Sequence, residues 1–482
     1  MTIGMWGRLT NDPDHPMPFF YLRTPPGTAW PPVPFPEVAQ VWAAYLELDR
    51  TQWLAPTEIE SLQLEQLRSL LLHCFHNVPY YRHVLASAGI SSRPIDGLEE
   101  FRRIPFLTRE LYQTHFDSIQ AKTLPSGMTS VWSGFTSGTN GVPIKVCKTN
   151  RDGLWWNAFF LRDLEWCQLD PRKKLAAIRL LAMNREQLPQ ALNGRSLPYW
   201  GKLCQALFET GPAHAMDIRQ DPRKQIEWLH RIRPNYILSL PSNLELLAGM
   251  VQERSERLPE LEAIQAIGEP LAPATQQRIE AGFGVPVKNL YSTTECGYIA
   301  SPCPDGHGLH VHSENVFVEV LDANDQSCKP GQTGRLVFTS LHNFITPFVR
   351  YEIMDDVTLA DGPCPCGRGL PLWTNVDGRR HPMLHLPDGR RKSSMGITLG
   401  IRKVGGVHQF QIIQRSPEHV ILRVVPDRTW QAENPDLMRQ VVHAEFESPI
   451  QVDVEQKEFL ERPAGGKLKI VVVEMDAEPM RT

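Results

Sequence analysis

Between Ser130 and Asp361, short apolar runs (KLAAIRLL, NYILSL, AIQAIG, VFVEVL, GRLVFTS) alternate with stretches such as QIEWLHRI, whose apolar residues recur at helical spacing. Runs that short, rich in Ile, Val and Leu, suit buried strands, and strands alternating with helices pack as α/β layers. The pattern stops at both ends. Ile59, Leu62, Leu64, Leu67, Leu70 and Leu71 repeat at helical spacing from Thr57 with no Pro or Gly between them, and a second amphipathic helix is expected after Pro79. After Arg380, FQIIQ, HVILRVV and KIVVVE surround one polar helix near Pro435 to Glu447, the makings of a small α+β domain. Residues 13–36 hold so many prolines that an extended leader wrapped over another surface is expected, with disorder as the alternative. The division is therefore a Pro-rich extension over 1–56, a large α/β body over 57–379, and a small α+β domain over 380–482.

A chain of 482 residues suits two or three domains, and 41% hydrophobic with 22% charged residues is ordinary for a globular protein. A formal net charge of -4 supplies no positive field for nucleic acid, so no nucleic-acid partner is expected. The first residues lack the apolar stretch of a signal peptide and no later run reaches membrane-spanning length, which reads as a cytoplasmic protein without a membrane span. Nine cysteines, an odd number, argue against a disulfide framework and leave free thiols or metal ligation.

Thr136, Ser137, Gly138, Thr139, Asn140, Gly141, Val142 and Pro143 form a hydroxyl- and glycine-rich turn. Glycines let backbone N–H groups approach an anion and the hydroxyls add donors, so such a loop can hold phosphate; a polar hairpin has the same composition. It lacks the Gly-Lys-Ser/Thr ending of a Walker loop. Tyr291, Ser292, Thr293, Thr294 and Glu295 follow the apolar piece Val285 to Leu290, where a strand end would present them to a cleft. A Glu there can bind Mg²⁺ and the aromatic can stack on a purine, although Ser/Thr followed by Glu also marks a helix start. Weaker signals are Asp355 and Asp356, which could offer a carboxylate to a ribose, Asp377-Gly378-Arg379, and Gly465-Gly466-Lys467, a turn presenting one cation.

In this order the motifs resemble the adenylate-forming superfamily of acyl-CoA synthetases, adenylation domains and luciferases, especially its phenylacetate–CoA ligase branch. The resemblance runs from about residue 50 and includes LRSLLLHCFHNVPYYRHVLASAGI, IPFLTRELY, Arg233-Pro234-Asn235, Leu240-Pro241-Ser242, Gly268-Glu269-Pro270-Leu271 and RIEAGFGVPVKNLYSTTE. It implies that Thr136, Ser137, Gly138, Thr139 and Gly141 close over the β- and γ-phosphates of ATP, that Glu295 binds Mg²⁺ and that Thr294 contacts the α-phosphate. It further implies that Gly268, Glu269 and Pro270 border the adenine with Tyr291, that Asp355 and Arg379 hold the ribose, and that Lys467 bridges carboxylate and α-phosphate. The implied activity is conversion of a carboxylic acid, aryl or arylacetic by preference, to acyl-AMP and then to a coenzyme A thioester by a mobile C-terminal domain. Trp132 and Phe135 beside the phosphate loop hint at an aromatic-walled acid pocket.

The chain departs from that pattern at Asn140, where a second threonine is usual, and at Arg380-His381-Pro382, where an aspartate follows the hinge. An altered hinge motivates a second reading, in which an amine or a carrier-protein thiol takes the acyl group. From a different class, a nucleotide-binding but catalytically silent scaffold is the further alternative, and a homodimer is a candidate assembly. Separately, Cys303, Cys364 and Cys366 with His310 make a sulfur-rich set suited to a closed structural Zn²⁺ site, His307 and His312 competing for the fourth place. Cys296 beside Glu295 reads as a wall thiol rather than a nucleophile.

Overall fold

The structure, a computed structural model, describes residues 22–28, 30–136, 143–181, 192–379, 382–463 and 466–476. Proline opens helix after helix. Pro36, Pro56 and Pro79 begin α1 (Pro36–Thr51), α2 (Pro56–Asn77) and α3 (Pro79–Ser87), where a missing N–H leaves nothing unsatisfied and a fixed φ already fits the helix. A hairpin of β1 (Ser130–Phe135) and β2 (Lys145–Thr149) follows. Thr149 and Asp152 then exchange side-chain and backbone bonds as a capping box, which starts α4 (Asn150–Trp166).

The body is built on one twelve-stranded sheet. Its strands in chain order are β3 (Leu175–Arg179), β4 (Arg195–Leu197), β5 (Ala213–Asp217), β6 (Tyr236–Ser239), β7 (Ala263–Ile267) and β8 (Val287–Thr293), then β9 (Gly297–Pro302), β10 (Leu309–Val311), β11 (Val316–Leu321), β12 (Thr333–Ser340), β13 (Tyr351–Leu359) and β14 (Leu372–Arg379). The crossover helices are α5 (Pro222–Ile232), α6 (Pro241–Glu253) and α7 (Pro273–Phe283). In space the order is β11-β12-β13-β14-β10-β9-β8-β7-β6-β3-β5-β4. From β5 to β8 neighbours run parallel; from β8 to β11 they run antiparallel. The change of sense falls at β8.

One core lies between the antiparallel half and α2 and α3, another beneath α5 to α7 on the parallel half. The C-terminal module has its own, formed by Leu384, Ile397, Ile412, Leu422, Val442 and others. It comprises a hairpin of β15 (Met383–His385) and β16 (Arg391–Ser393), α8 (Met395–Val404), β17 (Val407–Ser416), β18 (His419–Pro426), α9 (Asn434–Phe446), β19 (Gln451–Gln456) and β20 (Val471–Val473). The last four strands form a sheet ordered β19-β18-β17-β20. No helix among the described residues is long and apolar enough to cross a membrane.

The segment expected to be a Pro-rich extension is in part a working element of the body. After Pro36 it contains no further proline up to Thr51, and Val38, Val41, Tyr45 and Leu48 fall on one face, which buries against Phe159 and Leu164 of α4. The density of prolines up to residue 36 masked that helix in the sequence. Because Leu48 is fully buried there, Leu48→Ala should lower the unfolding free energy by about 2–5 kcal/mol, as read by chemical denaturation.

Candidate active site

Three strand ends meet where the sheet changes sense. β7 and β8 are parallel with Ile267 opposite Leu290, so Gly268, just past the end of β7, stands beside Tyr291, which β8 pairs with Ala300 of β9. The Tyr291 hydroxyl donates to Asp355 Oδ2 at 2.5 Å, and burial, then the Asp355 charge, push the phenol well above its usual range. Asp355 in turn lies opposite Arg379 across β13 and β14. Gly268, Tyr291, Asp355 and the backbone of Arg379 thus form one line along the cleft.

Thr293 to Gly297 is a strand-to-strand turn between β8 and β9, not the helix start its sequence also allowed. Thr294 is exposed at the turn and Glu295 is buried. Lys148 of β2 donates to the Glu295 carbonyl at 2.7 Å and lies 3.7 Å from Asp152. Asn315 donates to the carbonyls of Cys296 and Tyr298 from below. The Cys296 thiol is pushed up to about 12 by burial, so it is a wall and not a nucleophile.

Of the phosphate-loop candidates, Ser137, Gly138, Thr139 and Gly141 lie outside the described residues. Thr136 is buried at the base of that loop, its hydroxyl accepting from Ile144 N at 3.1 Å and from Arg109 at 3.2 Å. Thr136 therefore ties the loop's two ends together. Trp132 and Phe135, read as hints of an aromatic pocket, instead stand 46% and 68% exposed on β1. β2 supplies the buried residues of the hairpin, Val146 and Cys147 among them, while β1 stays on the surface.

The Gly268-Glu269-Pro270 segment divides its tasks. Gly268 sits at φ +75°, and a Cβ placed there would lie 3.8 Å from Lys467 Cε and 4.0 Å from its Nζ, so the lysine of the C-terminal module reaches this strand end. Glu269 turns its carboxylate to the first turn of α6, where Oε2 accepts from Ser242 N at 3.0 Å, a helix cap. Pro270 packs onto Gly378, where φ is +73° and a Cβ would stand 2.0 Å from Pro270 Cγ. The sequence singled out Asp377-Gly378-Arg379 without this reason: only glycine lets the last strand of the body pass beneath Pro270. Arg109, Lys148 and Arg462 carry polar contacts of the site and were not singled out, since each acts on a segment distant in sequence.

Beside the cleft, Cys303, His310, Cys364 and Cys366 bring their ligand atoms within 4.8 Å of one another. Cys303 Sγ and Cys364 Sγ are 3.7 Å apart, close to the roughly 3.8 Å that two ~2.3 Å metal–sulfur bonds at a tetrahedral angle require. His310 Nε2 lies 3.2 Å from Cys366 Sγ, while Nδ1 donates to the Leu370 carbonyl. Burial lowers His310 to about 4, which keeps Nε2 a neutral donor atom. Burial opposes the Cys366 thiolate, but hydrogen bonds from the Arg368 backbone and side chain outweigh it and lower the thiol. His312 is engaged by Ser301 and Arg162 and stands outside the set.

A family profile described as AMP-binding enzyme matches residues 201–345, and one described as CapK C-terminal domain matches residues 384–474. The phenylacetate–coenzyme A ligase of Thermus thermophilus is 26% identical over 68% of this chain and 72% of its own length; that of Escherichia coli is 24% identical over 70% and 75%. Among solved structures, 2-hydroxyisobutyryl-CoA ligase in the postadenylation state with 2-HIB-AMP is 19% identical and overlays with a TM-score of 0.67 over 88% of this chain and 91% of that one. The same enzyme with 2-HIB-AMP and CoA in the thioesterification state is 20% identical and overlays with a TM-score of 0.57 over the same shares. With the sheet, the strand-end line and the C-terminal module in place, the chain shares the fold of 2-hydroxyisobutyryl-CoA ligase and is similar over residues 201–345 to AMP-binding enzymes.

Because Gly378 combines a positive φ with the Pro270 contact, Gly378→Ala should cost about 1–3 kcal/mol in unfolding free energy. Calorimetric titration with ATP should also show weaker binding in that variant.

Proposed function

We propose that this protein is an ATP-dependent, AMP-forming acid–thiol ligase that activates an aryl or arylacetic acid and passes the acyl group to coenzyme A. The observation that carries the reading is the reach of Lys467 from the C-terminal module to Gly268, at the head of the Tyr291–Asp355 line. The likeness to phenylacetate–coenzyme A ligases over more than two thirds of either chain supports the choice of acid and acceptor. The unpaired thiols suit a reducing compartment, so we place the enzyme in the cytoplasm.

In the first half-reaction a carboxylate oxygen attacks the α-phosphorus of ATP, the bond from that phosphorus to the bridging oxygen breaks, and pyrophosphate leaves with the electron pair. Negative charge grows on the α-phosphate oxygens as the carboxylate arrives, and the Lys467 ammonium neutralises it more in the transition state than in the ground state. Thr294, exposed on the β8–β9 turn, donates its hydroxyl to the α-phosphate. Gly268, Pro270 and Tyr291 border the adenine, while Asp355 accepts from the ribose as it does from Tyr291. Glu295 is the carboxylate that would hold Mg²⁺, which supplies charge neutralisation on the phosphates. In the second half-reaction the sulfur of CoA attacks the acyl carbon, the carbon–oxygen bond to AMP breaks, and the thiol proton passes to solvent. Positioning supplies much of that rate, since a thiolate needs little further activation. Cys303, His310, Cys364 and Cys366 fit a structural Zn²⁺ by donor set and spacing.

Pyrophosphate release with MgATP across a panel of aryl, arylacetic, fatty and amino acids, with and without CoA, tests the reading. Acid-dependent release with an acyl-CoA product is expected, whereas acyl-AMP alone, or no turnover with ATP bound, overturns it. Lys467→Ala should lower acyl-AMP formation by about a hundredfold or more and leave ATP affinity nearly unchanged. Cys364→Ser should purify without the stoichiometric zinc that metal analysis finds in the wild type, and should melt at lower temperature.

A further inference from the structure

The first turn of α6 is held from both sides of the domain junction at one residue, Ser242. Its N–H goes to Glu269 of the body, its carbonyl accepts from Gln409 of β17 at 2.5 Å, and its hydroxyl accepts from Arg462 Nη2 at 3.0 Å. Arg462 is the unusual member. Its side chain is 6% exposed, Nη1 donates to the Gly466 carbonyl at 3.1 Å, and the same nitrogen stands 3.9 Å from Glu269 Oε1. Gly466 immediately precedes Lys467.

We propose that Arg462 is a positioning residue that latches the C-terminal module onto Ser242 and Glu269 and so holds Lys467 at Gly268 for adenylation. This rests on the ligase reading above and adds to it what keeps the lysine in place. The argument is one of partners. The bond to Gly466 lies within the module and travels with it, whereas Ser242 and Glu269 belong to the body and are lost whenever the module turns. A guanidinium buried between them loses a hydrogen bond and an ionic partner on departure, which favours the posture seen here. Because one terminal nitrogen serves both Gly466 and Glu269, the carbonyl that orients the lysine turn is fixed by the same group that docks the module. Lys467 needs such help. It sits on a glycine-flanked turn with no regular secondary structure, where a long side chain has many rotamers to lose.

The experiment compares Arg462→Ala and Arg462→Lys with the wild type in the two half-reactions separately, together with hydrogen exchange in the absence of any substrate. Acyl-AMP formation, followed by pyrophosphate release with the best acid of the panel, should fall about ten- to hundredfold in kcat in Arg462→Ala, with KM for ATP within about twofold. Transfer to CoA from synthetic acyl-AMP supplied directly should stay within about twofold, and Arg462→Lys should recover part of the lost adenylation. Backbone exchange over residues 240–246 and 407–411 should rise in Arg462→Ala, since the junction opens more often. Equal loss in both half-reactions, or adenylation left at the wild-type rate, overturns the positioning role. Unchanged exchange overturns the latch itself, independently of catalysis. A wild-type protein that forms no acyl-AMP from any acid overturns the ligase reading instead, while the exchange result still judges the latch.

Discussion

The hydrogen bond from Tyr291 to Asp355 decides the shape of the cleft. In the sheet order β13-β14-β10-β9-β8 the two residues lie four strand spacings apart, which in a flat sheet is about 19 Å. A tyrosine side chain cannot span that gap, so the 2.5 Å bond requires the antiparallel half to curl until β13 comes back toward β8. Register shifts in β8 at Tyr291/Ser292 and in β13 at Asp356/Val357 stand where the curl must be made. Tyr291 and Trp373 of β14 meet edge to face, with ring centroids 6.1 Å apart, inside the same bend. A concave wall with one carboxylate at its rim is the consequence, and the parallel half closes it with the end of β7.

The position of the small module follows from that wall. Gly268 has no side chain and Lys467 approaches it; Gly378 has none either and Pro270 covers it, so the two closest approaches at the cleft are both bought with glycine. The module meets the body along α6. There His408 lies 3.2 Å from Glu253, Arg428 N donates to the same carboxylate, and Leu246 packs with Val425 and Leu460. These contacts mix ion pairs and hydrogen bonds with one small apolar cluster. Burial lowers the Arg462 guanidinium, and the Glu269 charge partly offsets it.

Local chemistry was legible in the sequence and non-local chemistry was not. The strands behind KLAAIRLL, NYILSL and AIQAIG and the helix behind QIEWLHRI stand where periodicity put them, because a buried parallel sheet leaves its mark as short continuous apolar runs. Tyr291 to Glu295 could be placed at a strand end from the run before it. The Cys303, His310, Cys364 and Cys366 set is a non-local exception, grouped by the tight Cys364/Cys366 spacing, the donor types and the family resemblance. What escaped were α1, hidden behind prolines, and the polar residues whose partners lie far along the chain. Lys148 reaches Glu295 across 147 positions and Arg462 reaches Ser242 across 220, and no local pattern encodes such pairs. Glu269 shows a subtler miss: its motif was noticed, but the orientation of its carboxylate toward α6 depends on a helix start that only the folded chain brings near.

The four-residue Cys/His cluster bears on catalysis through geometry rather than chemistry. Cys303 follows β9, His310 lies on β10, and Cys364 and Cys366 sit between β13 and β14, so an ion held by all four would clip the β9–β10 turn to the β13–β14 connection. Those are the strands that carry the Glu295 turn, Asp355 and Arg379. The clip continues outward to the N-terminal helix: Arg368 Nε donates to Gln52 at 2.7 Å and stacks over Trp53 and Trp166, and Gly369 N donates to the Gln52 carbonyl. At Gly369 a Cβ would come 1.8 Å from the Leu54 carbonyl oxygen, so this loop can lie on the end of α1 only as glycine. The cluster and α1 thus tie the connection between β13 and β14 to β9, β10 and the N-terminal helix.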